Sequence, residues 1–303
     1  MAGAMLIRIG TSERDGTFHS QGEALKTVCA RTPALAGIEV VESRSASVDN
    51  ANRLHAGEIE FGFMAANWIG RAKAGEAPFA HTIDLRVAAP MNAGPLFFIA
   101  RAESPIRTID DLRGKRVSVG MRTSGMVQHV HAIFGALGIA FSDFVPVYLD
   151  FAAGAEALAE GEVDAQFQCP IPNKVMTDLA ARVALRVIPY RPGQMADVIN
   201  AVPFYRGTIM RRHAIRGLDA DVAQLAVVNV LVTHARIPAP LVREMVAAVI
   251  AGRDELPGLN PLFAGLADLL LPLRTEGISA LEFGGVPLHA GALQAYREAG
   301  LLN

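Results

Sequence analysis

The stretch Arg116–Phe134 reads RVSVGMRTSGMVQHVHAIF. Val117 to Val119 is a short β-branched run and predicts a strand. Gly120, Thr123, Ser124 and Gly125 predict a turn, and Val127, Val130, Phe134 and Leu137 then recur at helical spacing. The first turn of such a helix carries backbone N–H groups with no partner inside the helix, aimed past the end of the strand. That arrangement suits an anion.

The start of the chain uses the same device. Leu6-Ile7-Arg8-Ile9 is followed by Gly10-Thr11-Ser12, then Gly16-Thr17-Phe18, then a helix through Leu25 and Val28. Further along, Leu54-x-x-Gly57-Glu58-Ile59-Glu60-x-x-Phe63 matches Leu158-x-x-Gly161-Glu162-Val163-Asp164-x-x-Phe167. Gly10 precedes Gly57 by 47 residues and Gly120 precedes Gly161 by 41. A glycine cap between helix and strand is common in β-α units. Its recurrence with matching flanks in the same slot points to two half-structures of similar size. Strands alternating with helices at this spacing predict an α/β protein, with mixed, mostly parallel sheets flanked by helices and ligands beyond the carboxyl ends of the strands.

At 303 residues the chain is long enough for two domains. Val87–Arg101, an apolar run interrupted by Pro90, Gly94 and Pro95, is the expected first crossing between them. The expected return lies at 188–208, with Pro189, Pro192, Pro203 and Gly207. Ala220 to Ile237 and Ala239 to Gly252 are expected as long amphipathic helices. Domain I is thus expected as residues 1–95 plus 206–303, and domain II as 96–205.

Apolar residues make up 51% of the chain, charged residues 19%, and the net charge is −2. The four lysines form no basic run, so no nucleic-acid partner is expected. No apolar run reaches the roughly 20 residues of a membrane helix, so no direct membrane insertion is expected. Cys29 and Cys169 have neither zinc nor redox spacing. His129 and His131, two apart in a helix, point to different faces and make no metal pair. No cofactor is expected. Met1 to Met5 lacks the basic start and long apolar core of a signal peptide, so either the protein stays in the cytosol or a signal was removed and a new start added.

Several segments together resemble a known family. They are Ile9-Gly10-Thr11, Gly16-Thr17-Phe18, Ser47-Val48-Asp49-Asn50, Leu54-x-x-Gly57-Glu58, Asp111-Leu112-x-Gly114-Lys115-x-Val117-x-Val119-Gly120, Ser124-Gly125, Gly161-x-x-Asp164-Ala165 and the terminal Pro287-Leu288-His289-Ala290-Gly291-Ala292-x-x-x-Tyr296-Arg297-Glu298-Ala299-Gly300. The chain resembles the TAXI family of extracytoplasmic solute receptors, which serve TRAP-type secondary transporters. The resemblance implies a two-domain type II periplasmic-binding-protein-like fold that closes on a small organic anion in an interdomain cleft. Amino acids, 2-oxo acids and dicarboxylates are the implied ligands and TRAP-type permease subunits the implied partner. The implied location is periplasmic, or cytoplasmic if Met1 is the natural start.

A carboxylate receptor needs several converging donors, because one helix N-terminus contributes only about 0.3–2 kcal/mol against the roughly 8 kcal/mol of micromolar binding. The expected ligand-binding residues are Thr11, Ser12, Thr17 and Phe18 at the first loop, Ser47 and Asn50 at the second, and Asn67 at a strand end. From the second half come Arg122, Thr123, Ser124, Gly125, Gln168 at the strand end corresponding to Asn67, and Tyr205. Arg122 is either a guanidinium holding a carboxylate through two parallel hydrogen bonds or an exposed loop arginine. Thr123 and Ser124 either bind or cap the helix. The helix after the Ser43–Asn50 loop is expected to be capped by Ser47 or Asp49, and His289 is expected to dock the C-terminus.

The competing expectation is a cytosolic enzyme, of decarboxylase or biosynthetic type, on the same fold. No P-loop, H-E-x-x-H or G-x-S-x-G stands in the sequence, and His19 and Cys169 are the residues that could serve acid–base or nucleophilic chemistry. A binding protein without catalytic residues is therefore the expectation.

Overall fold

The computed structural model describes residues 6–14, 16–122, 124–168, 171 and 173–303. The chain runs β1 (Ile7–Gly10), α1 (Thr17–Cys29), β2 (Ile38–Val41), α2 (Ser47–Ala56), β3 (Phe61–Ala65), α3 (Ala66–Ala74), β4 (Leu85–Arg101) and β5 (Arg116–Ser118). It continues with α4 (Gly125–Ala136), β6 (Val145–Val147), α5 (Phe151–Glu160), β7 (Ala165–Gln168), α6 (Lys174–Arg182), β8 (Leu185–Val187), α7 (Gln194–Ala201) and β9 (Tyr205–Met210). It closes with β10 (Val222–His234), α8 (Ala239–Gly252), α9 (Leu256–Leu259), α10 (Leu266–Leu270), α11 (Leu273–Glu276) and α12 (Ala290–Glu298). Two compact units divide the chain at Ala93/Gly94 and Val227/Val228, so each of the long strands β4 and β10 carries a division.

In the first unit β1 pairs in parallel with β2 and β3, and β10 adds antiparallel to β3, from Asn229 opposite Ala65 to Thr233 opposite Phe61. The inward faces of these strands are apolar and shut off from solvent: Ile7, Ile9, Phe61, Phe63, Val230 and Val232 are all buried. Burying each such side chain stabilises the unit by roughly 1.5–3 kcal/mol. The C-terminal segment docks on the same unit. Leu288 bridges Val87 in parallel, His289 N–H donates to the Val87 carbonyl, and the buried Tyr296 hydroxyl donates to the Ala88 carbonyl at 2.9 Å. His289 Nδ1 accepts the Gly291 N–H at 3.1 Å and so caps α12. Burial lowers the His289 pKa below its ordinary value, which favours the neutral imidazole that this cap uses. Gly291 lets α12 lie against α8, because a Cβ there would stand 2.1 Å from the Ala239 carbonyl oxygen.

In the second unit the strand order is β4-β7-β5-β6, with β8 on the other edge of β4 and β9 paired antiparallel with the first half of β10. One face of β4 and β7 packs Phe98 and Phe167 against Phe134 of α4. The other face packs Phe97 and Ile99 with Leu158 of α5 and Leu179 of α6. Gly57 and Gly161 end α2 and α5 in the left-handed region, at φ 77° and 80°, which only glycine adopts without strain. The repeated helix-Gly-strand pattern records those two caps.

The structure corrects three local expectations. Val222–His234, expected within a helix, is a strand. Its valine-rich run is almost wholly buried, and a buried apolar run carries no periodicity that separates strand from helix. Val87–Arg101, expected as an interrupted strand, lies within one continuous strand of 17 residues. Neither Ser47 nor Asp49 caps α2. The N-cap is Ala46, Ser47 is already helical, and the Asp49 carboxylate accepts from the Ser45 N–H.

Candidate functional site

In the second unit, β5 delivers the chain to Gly120, held at φ 90°. A side chain there would meet Ser124 Oγ at 2.8 Å and Met126 Cβ at 2.7 Å, so the glycine lets the turn fold tightly under α4. Ser124 is the N-cap residue of α4, yet its hydroxyl donates to the Met121 carbonyl at 2.8 Å and caps nothing. The first-turn N–H groups of α4 therefore receive no oxygen from it. Space around Gly125 is open: a Cβ built there has no neighbour within 4 Å. Thr123 lies outside the described residues.

Arg122 is exposed in this turn, and its guanidinium carbon sits 3.8 Å from the centre of the Tyr148 ring. Tyr148 follows β6, so the contact joins two neighbouring strand ends. Arg122 forms no ion pair among the described residues, and this exposed cation over a half-buried ring holds its place for about 0.5–1 kcal/mol.

Gln168 ends β7 and is fully buried. Its Nε2 donates to Gln166 Oε1 at 2.9 Å, and Gln166 Nε2 donates to the Phe151 carbonyl at 3.1 Å. Gln168 Oε1 is left buried without a partner. Tyr205, at the start of β9, is also fully buried, with its hydroxyl 2.7 Å from Nδ1 of His129 one turn into α4. Burial pushes the His129 imidazole down to a pKa of about 4, so it is neutral at pH 7 and ties α4 to β9 as a neutral hydrogen-bonding group.

In the first unit most of the expected residues hold their own loops. Asn50 is fully buried. Its Nδ2 donates to the Thr11 carbonyl at 2.8 Å and the Phe63 carbonyl at 2.9 Å, and its Oδ1 accepts from the Ser43 hydroxyl at 2.5 Å. The register of β1 with β3 ends at Gly10 opposite Gly62, and the amide of Asn50 serves the next carbonyl of each strand. Gly10 makes room for it, since a Cβ there would stand 2.4 Å from Asn50 Oδ1. Thr11 donates its hydroxyl to the Val41 carbonyl at 2.9 Å. Ser12 Oγ accepts the His19 N–H at 3.1 Å, capping α1 from outside the helix. Ser47 Oγ accepts the Ala65 N–H at 3.1 Å.

Phe18 is buried with its ring centre 5.5 Å from that of Phe63. Thr17 is half-buried at the first position of α1. Asn67 lies in the first turn of α3 rather than at the end of β3, with Oδ1 buried and unpartnered. Gly57 and Gly161 are 104 positions apart, and that offset sets Gln168 against Met64, three residues before Asn67. Of the two residues named for acid–base or nucleophilic chemistry, His19 has Nδ1 3.5 Å from Thr11 Oγ1, and Cys169 lies outside the described residues.

Sequence reasoning missed Tyr148, Gln166 and a buried amide trio in the first unit, where Gln21 Nε2 and Asn229 Nδ2 both lie 3.2 Å from Asn92 Oδ1. The available signal was Gln166-x-Gln168: two amides on one face of a short strand in an apolar run. No group of histidine, cysteine and carboxylate side chains among the described residues is arranged to hold a metal ion. No helix among them is long and apolar enough to cross a membrane.

Two solved structures resemble this chain along nearly its whole length. One is the periplasmic sulfonate-binding protein SsuA of a sulfonate ABC transporter from Methylobacillus flagellatus KT, at 14% identity, covering 99% of this chain and 96% of that one, with a TM-score of 0.60. The other is a TctC solute-binding protein from Polaromonas, without ligand, at 15% identity, covering 99% and 98%, with a TM-score of 0.56. The fold is thus the two-domain α/β fold of periplasmic binding proteins. The profile of the NMT1-like family matches residues 9–300, and the chain belongs to the NMT1-like family.

Proposed function

We propose that the protein is an extracytoplasmic solute receptor that binds a small organic anion, of the amino acid, 2-oxo acid or dicarboxylate class, and delivers it to a TRAP-type membrane permease. The observation that carries this reading is Arg122. It is an exposed guanidinium, steadied on Tyr148, at the strand ends where α4 begins with first-turn N–H groups that Ser124 does not cap. A guanidinium offers a carboxylate two parallel hydrogen bonds, and the helix terminus adds a partial positive charge. Ser124 and Gly125 shape the approach, and Gln168 supplies a polar group at the neighbouring strand end. Thr11, Ser12, Ser47 and Asn50 position the loops, and Phe18 and Tyr205 support the elements behind them. The sulfonate-binding and solute-binding functions of the two similar structures support a receptor.

The test is a thermal-shift screen of the purified protein against amino acids, 2-oxo acids, dicarboxylates and sulfonates, with each compound assayed for chemical change after incubation. A ligand that binds only the folded state adds about 2.7 kcal/mol at a hundredfold excess over its Kd, a shift of a few degrees. In Arg122→Ala the shift disappears while the unliganded Tm moves by under about 2 °C, because the side chain is exposed and loses only its ring contact. Arg122→Lys restores part of it. An affinity unchanged in Arg122→Ala removes the anchor from the site, and a compound consumed during incubation replaces the receptor by an enzyme.

A further inference from the structure

On the reading of the protein as a receptor for a small organic acid, we infer that Gln168 is a specificity-determining residue and that the ligand presents an N–H or O–H donor to it. The preferred ligands are acids bearing an amino or hydroxyl group, rather than acids with acceptor oxygens alone. The direction of the amide relay decides which atom Gln168 leaves free. The Phe151 carbonyl can only accept, so Gln166 must point its Nε2 at that oxygen. Gln166 then presents Oε1 to its neighbour, and Gln168 must answer with Nε2. The orientation of the Gln168 amide is thereby set by a backbone atom two links away, and the atom it leaves unpartnered is an acceptor.

That atom, Oε1, has no hydrogen-bond partner, and the Gln168 side chain is 0% exposed. A buried acceptor is normally paired, and an exception calls for a donor from outside the chain. Its surroundings mark the place as a strand-end site. Gln166 and Gln168 stand opposite Ile99 and Phe97 of β4 on the face that α5 and α6 cover, so the pair is a polar intrusion into an apolar layer. Ser118 stands opposite Gln166, and carrying the parallel register two residues on sets Gly120, the first residue of the α4 turn, beside Gln168. The exposed carboxylate of Asp150, the N-cap of α5 just before Phe151, adds a second acceptor at the same end of the unit. Arg122 recognises an anionic group, whereas Gln168 Oε1 recognises a hydrogen that a bare carboxylate or sulfonate does not have.

The experiment is calorimetric titration of the full chain with matched acids: L-malate against succinate, L-glutamate against glutarate, and taurine against ethanesulfonate. In the pair that binds, the member with the donor is at least about tenfold tighter, since a buried hydrogen-bonding group left unpaired discriminates strongly against the analogue lacking its partner. In Gln168→Met the difference within that pair falls below about threefold, chiefly through weaker binding of the donor-bearing acid. Gln166→Met releases the Gln168 amide to turn its Nε2 outward and narrows the difference in the same direction. It decides the question if Gln168→Met shows no cooperative unfolding. Equal affinities within the binding pair, or a preference undiminished in the variants, overturn the inference and leave the receptor standing. Binding of no acid in any pair or in the wider screen overturns the receptor reading and this inference with it.

Discussion

Replacing Asn50 by leucine tests how the first unit holds its strand-end loops. The substitution keeps the side chain near its present volume and deletes every hydrogen bond it makes. Two buried backbone carbonyls, of Thr11 and Phe63, lose the Nδ2 donor, and each such loss costs about 1–3 kcal/mol. The Ser43 hydroxyl loses its acceptor but keeps the Arg53 guanidinium as a donor at 3.3 Å, so its share is smaller. Burial of the leucine side chain returns about 1 kcal/mol. The expected net loss is about 2–5 kcal/mol, a large fraction of the roughly 5–15 kcal/mol that holds a folded protein together. Equilibrium urea unfolding followed by circular dichroism measures it as a lowered midpoint. Ser43→Ala, which removes one donor and leaves both carbonyls served, loses about 1 kcal/mol and sets the scale. A loss below 1 kcal/mol in Asn50→Leu would refute the reasoning, because the two carbonyls would then have found other donors and Asn50 would not be what holds the Thr11 loop.

Three further outcomes are expected. The folded-state pKa of His129, about 4, lies below the ordinary value of 6.5 for histidine, so the unfolded chain takes up its proton first as pH falls. The stability His129 contributes is therefore intact above about pH 6.5 and is lost progressively down to pH 4, by about 3 kcal/mol. Urea midpoints of wild type and His129→Gln should converge over that window, and parallel curves would show that the imidazole is not held neutral. Gly291→Ala drives a methyl group onto the Ala239 carbonyl, where backbone must move. It should cost about 3 kcal/mol or more in unfolding, whereas Gly125→Ala, with open space around it, should cost less than about 1. Cys29 is buried, and burial pushes its thiol up to about pKa 12, so iodoacetamide should leave it unmodified at pH 8 until the chain is unfolded.

Local periodicity made the α/β class and most element positions legible, because the glycine caps at Gly57 and Gly161 and the β-branched strands need only neighbouring residues to be read. The 220–237 segment was not legible, since Val222–His234 is buried along its length and burial erases the alternation that marks a strand. At the candidate site, residue types at strand ends pointed to loops without dividing their labour. Asn50 and Ser47 read as ligand donors because nothing local shows that the Thr11, Phe63 and Ala65 backbone groups would claim them. Arg122 was visible as a lone arginine in a glycine-flanked turn, but Tyr148 beneath it is 26 residues away along the chain. The free oxygen of Gln168 emerges only once the relay through Gln166 to Phe151 is known, and that is a property of three dimensions.

The split composition of the first unit sets an order of events during synthesis. Residues 94–227 form one uninterrupted unit, whereas the other unit draws on both ends of the chain. A nascent polypeptide that has reached Val227 holds everything the second unit requires. It still lacks the half of β10 that lines β3, the helix α8, and the α12 segment whose Tyr296 closes onto Ala88. The leading residues must wait, with β3 unmatched along one side, until the segment through Tyr296 has been delivered. A chain threaded through a membrane while unfolded would be served by that delay, since the first unit cannot lock before its C-terminal segment has been made.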